Sequence, residues 1–140
     1  MPIALEIISP EKLLLAREVD MVVLPGTEGD LGVLPGHAKL VTSLRGGLVD
    51  IYENNQVTDR FFVSGGFAEI TESRCAVLAD DITRQAELDP ALAASLLDEA
   101  KVAYAAVDVA DHAAYLAASD RLIAAQAMVD SITPAQADRL

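Results

Sequence analysis

Few residues in this chain are placed to do chemistry. The stretch Leu24 to Ala38, LPGTEGDLGVLPGHA, sets Gly26, Gly29 and Gly32 three apart with Glu28 and Asp30 between them. A glycine turn that cradles phosphate offers backbone N–H groups to the anion, and two carboxylates in the same turn repel it, so these are read as turn glycines. Glu28 and Asp30 lack the further oxygen ligands of a calcium loop and have no base partner at useful spacing, which leaves an acidic contact surface. His37 follows Pro35-Gly36 with no nucleophile near it in sequence, and is read as a loop-packing or interface residue. His112 is expected to be solvated in the first turn of a helix. Ser64-Gly65-Gly66 lacks the frame of a nucleophile elbow. Cys75, the single cysteine, lies in a strand-like run and is read as an inert, half-buried thiol. No His/Cys cluster has metal-ligand spacing, so no catalytic, cofactor-binding or metal residues are expected.

The elements that must carry these residues divide at about residue 86. Residues 1–85 hold six alanines and every glycine, whereas residues 86–140 hold eighteen alanines and no glycine. In the first part, eight short β-branched or alternating runs recur between turn signals: 3–9, 12–18, 19–24, 39–44, 47–52, 57–63, 67–71 and 74–79. Short strands at this density mean a sandwich or flattened barrel. Glu53-Asn54-Asn55-Gln56 joins two of them in a hairpin, because Asn tolerates the left-handed backbone of a tight turn. The second part reads as two helices. Asp89 caps and Pro90 opens the first, with Ala93, Leu97, Ala100, Tyr104 and Val107 on one stripe; the second carries Tyr115, Ala118, Leu122, Ala125, Val129 and Ile132. Alanine on facing stripes lets two backbones approach, so an antiparallel helical hairpin of modest stability is expected. A net charge of −12 and a pI near 4.3 argue against nucleic acid or an anionic membrane surface as partner. Protein partners that are locally basic or apolar are expected instead. With one cysteine and no apolar run of spanning length, a reducing compartment fits, and neither a signal peptide nor a membrane span is expected.

Three segments, Leu24 to Ala38, Phe62-Val63-Ser64-Gly65-Gly66-Phe67-Ala68-Glu69-Ile70 and Val77-Leu78-Ala79-Asp80, resemble in order the epsilon subunit of the F-type ATP synthase. The resemblance is specific up to about residue 89 and weaker in the helical part. It implies a mainly β N-terminal sandwich of about ten strands over residues 1–85, two more than the eight runs above. A C-terminal antiparallel two-helix hairpin over residues 86–140 completes the implied fold. It also implies a non-catalytic rotor part that couples a proton-driven c-ring to the gamma subunit, at the cytoplasmic face of a bacterial inner membrane. Thr27, Glu28, Gly29, Asp30 and Leu31 then correspond to the c-ring contact, and Ser9 and His37 to positions near gamma. In the family the hairpin can extend into the alpha/beta catalytic head and block hydrolysis, and some members bind ATP through a segment ending in Arg-Ala. Here that place reads Leu88-Asp89-Pro90-Ala91-Leu92-Ala93, with Leu92 for the arginine, so ATP binding is expected to be weak or absent. The hairpin carries nine acidic and three basic residues. The implied brake is therefore weak; the alternative is a nucleotide-sensing module whose hairpin inhibits hydrolysis.

Overall fold

The computed structural model describes residues 2–132. Its first part is one curled sheet of ten strands: β1 Ile3–Ile8, β2 Leu13–Val19, β3 Met21–Gly26, β4 Gly29–Val33, β5 Leu40–Leu44, β6 Gly47–Glu53, β7 Gln56–Val63, β8 Gly66–Ile70, β9 Arg74–Ala79 and β10 Ile82–Arg84. Hydrogen bonding runs in the order β10-β7-β6-β3-β5-β8-β9-β1-β2, with β4 paired to β3. All pairs are antiparallel except β1 with β9. Side chains alternate across a pleated strand, so Ile3, Leu5 and Ile7 of β1 turn inward. There they meet Val22, Leu24, Val49, Ile51, Cys75 and Val77 in a continuous core. The two end strands are drawn together by charge. Asp59 of β7 takes Arg17 of β2 at 2.6 Å and Arg84 of β10 at 2.6 Å.

The eight expected strands are present, and the two extra ones are β4 and β10. β4 lies inside the glycine-rich stretch that the sequence alone marks as loop; it pairs with β3 from Gly26↔Gly29 to Val22↔Val33. Asn54 and Asn55 both have positive φ, 55° and 64°, and form the two-residue turn between β6 and β7.

After a short 3-10 turn at Gln85–Glu87 come α1, Pro90–Ala106, and α2, His112–Ile132. Asp89 caps α1, its Oδ1 accepting from the Ala91 N–H at 2.9 Å, and Asp111 Oδ1 accepts from the Ala114 N–H at 3.1 Å. The stripes meet as their spacing requires: Leu97, Ala100 and Ala125 are buried together with Leu122 and Val129 against them. Near the connection the Tyr104 and Tyr115 rings stand 5.7 Å apart, with their hydroxyls 3.0 Å apart. α2 also has a second buried face. Ala124 rests on Gly46, and the Ser131 carbonyl accepts from Gln85 Nε2 at 2.8 Å, so the hairpin is docked on the sandwich. Of the charges counted in the hairpin, Asp138 and Arg139 lie outside the described residues. No helix among the described residues is long and apolar enough to cross a membrane.

Candidate partner-binding surfaces

The acidic stretch folds into a rigid tip. Thr27 and Glu28 form the turn between β3 and β4, and Gly29 has φ of +129°, a value costly for any residue with a Cβ. Behind the tip, Arg45 reaches from the β5–β6 connection. Its Nη1 donates to the Gly26 carbonyl at 2.5 Å, its Nη2 meets Asp30 Oδ1 at 2.7 Å, and its own N–H donates to the Pro25 carbonyl at 2.9 Å. The two carboxylates therefore differ. Both are exposed, but Glu28 stands at the apex while Asp30 is held by an arginine of its own chain. Thr27, Gly29 and Asp30 share the exposed tip with Glu28, whereas Leu31 turns inward and packs against the core.

A second surface lies on the outer face of strands β5, β8, β9, β1 and β2. The pairing registers align Ser43 with Phe67, Phe67 with Leu78, Leu78 with Ile8, and Ile8 with Leu13, a single row across five strands. Phe67 and Leu13 are about half exposed, and Val41 beside the row is 68% exposed. The next row turns polar: Glu69, Ala76 and Glu6 lie side by side, with Arg74 paired to Glu6. From Phe67 to Leu13 the row is apolar, which makes it a candidate protein contact on a chain of net charge −12. Ser9 sits at one end of the face, in the turn where its N–H donates to the Lys12 carbonyl at 2.9 Å. His37 lies at the opposite strand ends, beside Gly36, whose N–H donates to the Glu72 carbonyl at 2.7 Å. At about 3.3 Å per residue along β9, the two are separated by on the order of 20 Å. They bracket the face without forming a single site.

The groove between hairpin and sandwich offers a third surface, a cavity of about 290 Å³ bordered by Phe62, Leu96, Arg121, Asp81 and Asp120. Among the described residues that border it the one cation is Arg121, which stands 3.6 Å from Glu99. Leu92 is 54% exposed on α1, and Arg84 is occupied by Asp59 and by the Phe61 ring, 4.8 Å from its guanidinium carbon. Cys75 is fully buried rather than half-buried, because it faces the core from β9; burial pushes its thiol up to about 12. It stays protonated and inert. Among the described residues, no group of three or more His, Cys, Asp or Glu side chains could hold a metal.

Comparison with known proteins agrees with this geometry. Residues 2–85 match the family model of the ATP synthase delta/epsilon chain beta-sandwich domain. The chain belongs to the ATP synthase delta/epsilon chain family. It is 54% identical over 128 residues to the ATP synthase epsilon chain of Granulibacter bethesdensis, covering 91% of this chain and 95% of that protein. Its identity to the ATP synthase epsilon chain of Rhodospirillum rubrum is 43% over 125 residues, covering 86% and 93%. Among solved structures, a chain in the Euglena gracilis mitochondrial ATP synthase, OSCP/F1/c-ring in rotational state 1, superposes with a TM-score of 0.78 at 22% identity, over 94% of this chain and 82% of that one. A chain in the Tetrahymena thermophila mitochondrial central stalk and c-ring gives 0.72 at 16% identity, over 95% and 98%. At those identities the likeness establishes the family fold, hairpin included.

Sequence reasoning missed three features of this family member. The row Ser43, Phe67, Leu78, Ile8, Leu13 is assembled from five strands, and only the registers make it contiguous. Arg45 is fifteen residues from Asp30, with no pattern linking them. The fully buried Asp50, 3.5 Å from Arg60 across the β6–β7 pair, sits in a run whose apolar neighbours hide it. Charge signs directly opposite each other in the hairpin GLVDIYENNQVTDR were the one available signal for that last pair.

Proposed function

We propose that the chain is a non-catalytic central-stalk subunit of a proton-translocating F-type ATP synthase, peripheral at the cytoplasmic face of a bacterial inner membrane. It grips gamma and rests on the c-ring. One observation carries this reading: the sandwich has two adjoining surfaces of opposite chemistry, the acidic tip and the row that starts beside it at Ser43 and is apolar from Phe67 to Leu13. The Thr27 N–H donates to the Ser43 carbonyl at 3.0 Å, so a load applied at the tip passes directly into the strand that opens the apolar face. Family membership supports this choice of partners: the tip, through Thr27, Glu28, Gly29 and Asp30, would meet the c-ring, and the apolar face between Ser9 and His37 would meet gamma. Leu31 would support the tip from within. The carboxylate at the apex suits basic or amide groups on the ring.

Glu28→Lys tests the ring contact with the least disturbance, because Glu28 is exposed and the Asp30–Arg45 pair stays intact. Proton pumping by the reassembled complex should fall while the isolated chain keeps its thermal stability; full pumping would overturn the tip's role.

In this role the chain would need no cofactor. With Leu92 in place of an arginine, and with Arg84 and Arg121 beside carboxylates, ATP loses a charge-assisted contact of about 1.5–3 kcal/mol, roughly ten- to a hundredfold in affinity. Calorimetry on the isolated chain should detect no micromolar binding. Such binding would favour the nucleotide-sensing alternative.

A further inference from the structure

The connection Arg45-Gly46-Gly47 touches two parts of the molecule at once. Toward the tip, Arg45 holds both the Gly26 carbonyl and Asp30. Toward the hairpin, Gly46 is overlain by α2: a Cβ built on it would stand 2.6 Å from Ala124 Cα and 2.9 Å from Ala124 Cβ, closer than real atoms approach. One short segment is thus gripped by the tip on one side and by the hairpin on the other.

The cleft between them, about 220 Å³, is lined by Asp30 and Arg45 from the sandwich and by Asp130 and Ser131 from α2. Arg45 is the one cation among the described residues that line it, and its carboxylates are Asp30 from the sandwich and Asp130 from α2. Its side chain is 36% exposed and that of Asp30 35%, so their pair is worth little net free energy and opens readily. Asp130, on the hairpin side, accepts from Gln126 Nε2 at 3.0 Å, a contact within its own helix that leaves capacity for a second donor.

We infer that Arg45 is a transfer arm between Asp30 and Asp130, by which engagement of the tip tightens docking of the helical hairpin. A basic group from a partner that takes Asp30 releases the Arg45 guanidinium, and the other carboxylate lining the cleft is Asp130 on α2. Pairing there adds a bond between sandwich and hairpin beside the Gly46–Ala124 contact. Because coupling between two sites is reciprocal, an undocked hairpin returns Arg45 wholly to Asp30 and weakens the tip's hold on a basic partner by the same factor. This inference rests on the proposed contact at the tip for its biological partner, but the arm itself is a property of the isolated chain.

Hydrogen exchange of the isolated chain therefore tests it. Asp30→Asn stands in for a partner that has neutralised Asp30. It should slow exchange of the α2 amides between 120 and 131 by about two- to fivefold, the size expected for one half-exposed ion pair. In an Asp130→Asn background the same substitution should have no effect on α2, and high salt should remove the difference in the parent. The amides of β1 and β9 report in the same experiment whether the sandwich is intact. Unchanged or faster α2 exchange in Asp30→Asn would overturn the inference, as would slowing that persists without Asp130. Since no ring is present, failure here leaves the tip contact standing, and failure of the pumping assay leaves the arm standing.

Discussion

The sandwich and the hairpin bury their apolar residues by opposite means. In the sandwich, Ile3, Leu5, Ile7, Val22, Leu24, Ile51 and Val77 are closed off from water almost completely, and each strand is bonded along its length. In the hairpin the buried contact is Leu97, Ala100 and Ala125, helped by Leu122 and Val129. At about 25 cal/mol per Å² of apolar surface, an alanine contributes a small part of what an isoleucine does. Branched side chains therefore make the sandwich a rigid body, and alanine makes the hairpin a low-stability unit of the kind that opens locally before the whole unfolds. A rotor subunit that transmits load through its sandwich has reason to make that region the stiffer of the two.

Two substitutions of the same type should separate the regions most widely. Leu5→Ala empties the centre of the sandwich and should cost about 2–5 kcal/mol of global stability, lowering the unfolding midpoint of every probe together. Leu97→Ala removes the largest buried side chain between the helices. It should speed exchange in α1 and α2 while leaving β1 and β9 unchanged. If Leu97→Ala lowered the midpoint of the sandwich as far as Leu5→Ala does, the two regions would be one cooperative unit and the comparison would fail.

A smaller effect is expected at their junction. Gly46→Val places atoms where Ala124 already stands, and α2 can yield only by moving away, since the neighbour is helix backbone. Overpacking of this kind costs about 1–3 kcal/mol, all of it charged to docking. Limited proteolysis should cut between residues 85 and 111 faster in this variant, with the sandwich fragment surviving intact. Retained protection would mean that the hairpin is held chiefly elsewhere, as by the Gln85–Ser131 bond.

What could be read from the sequence follows the same division. The inward strands were legible because Ile3, Leu5 and Ile7 alternate, and the helix pairing because Leu97, Ala100 and Ala125 keep their spacing. β4 was hidden since Gly29, Asp30 and Gly32 disfavour strands; it forms because β3 offers a bonded edge and because Leu31 and Val33 can face the core. β10 is only three residues long. The docking face of α2 was invisible for a different reason. Ala124 and Ser131 are small or polar and leave no hydrophobic stripe, yet small size is what allows α2 to lie on Gly46. The surfaces for partners were least legible of all, because Phe67, Leu78, Ile8 and Leu13 become neighbours only through strand registers.

The smallest effect is expected where the hairpin would act on the rest of the complex. To block hydrolysis in the proposed assembly, it must leave the sandwich and lie along the catalytic head, so what matters is the free-energy difference between docked and extended states. Docking is weak per contact but specific, through Gly46, Gln85 and the groove beside Phe62. The extended state has little to set against it. The helices carry Lys101 and Arg121 with Asp98, Glu99, Asp111, Asp120 and Asp130 around them, and Arg121 already stands beside Glu99. Acidic surfaces on the head would repel such a hairpin, with screening over about 8 Å at physiological salt. Moving the equilibrium from mostly docked to mostly extended needs about 5.5 kcal/mol of differential binding, and these side chains do not supply it. Removing residues 86–140 should therefore raise hydrolysis by the complex only slightly, while Asp120→Lys with Asp130→Lys should make the hairpin a better brake. A several-fold rise on truncation, measured in the reassembled complex, would show that the hairpin meets groups other than carboxylates and that its weak docking is put to inhibitory use.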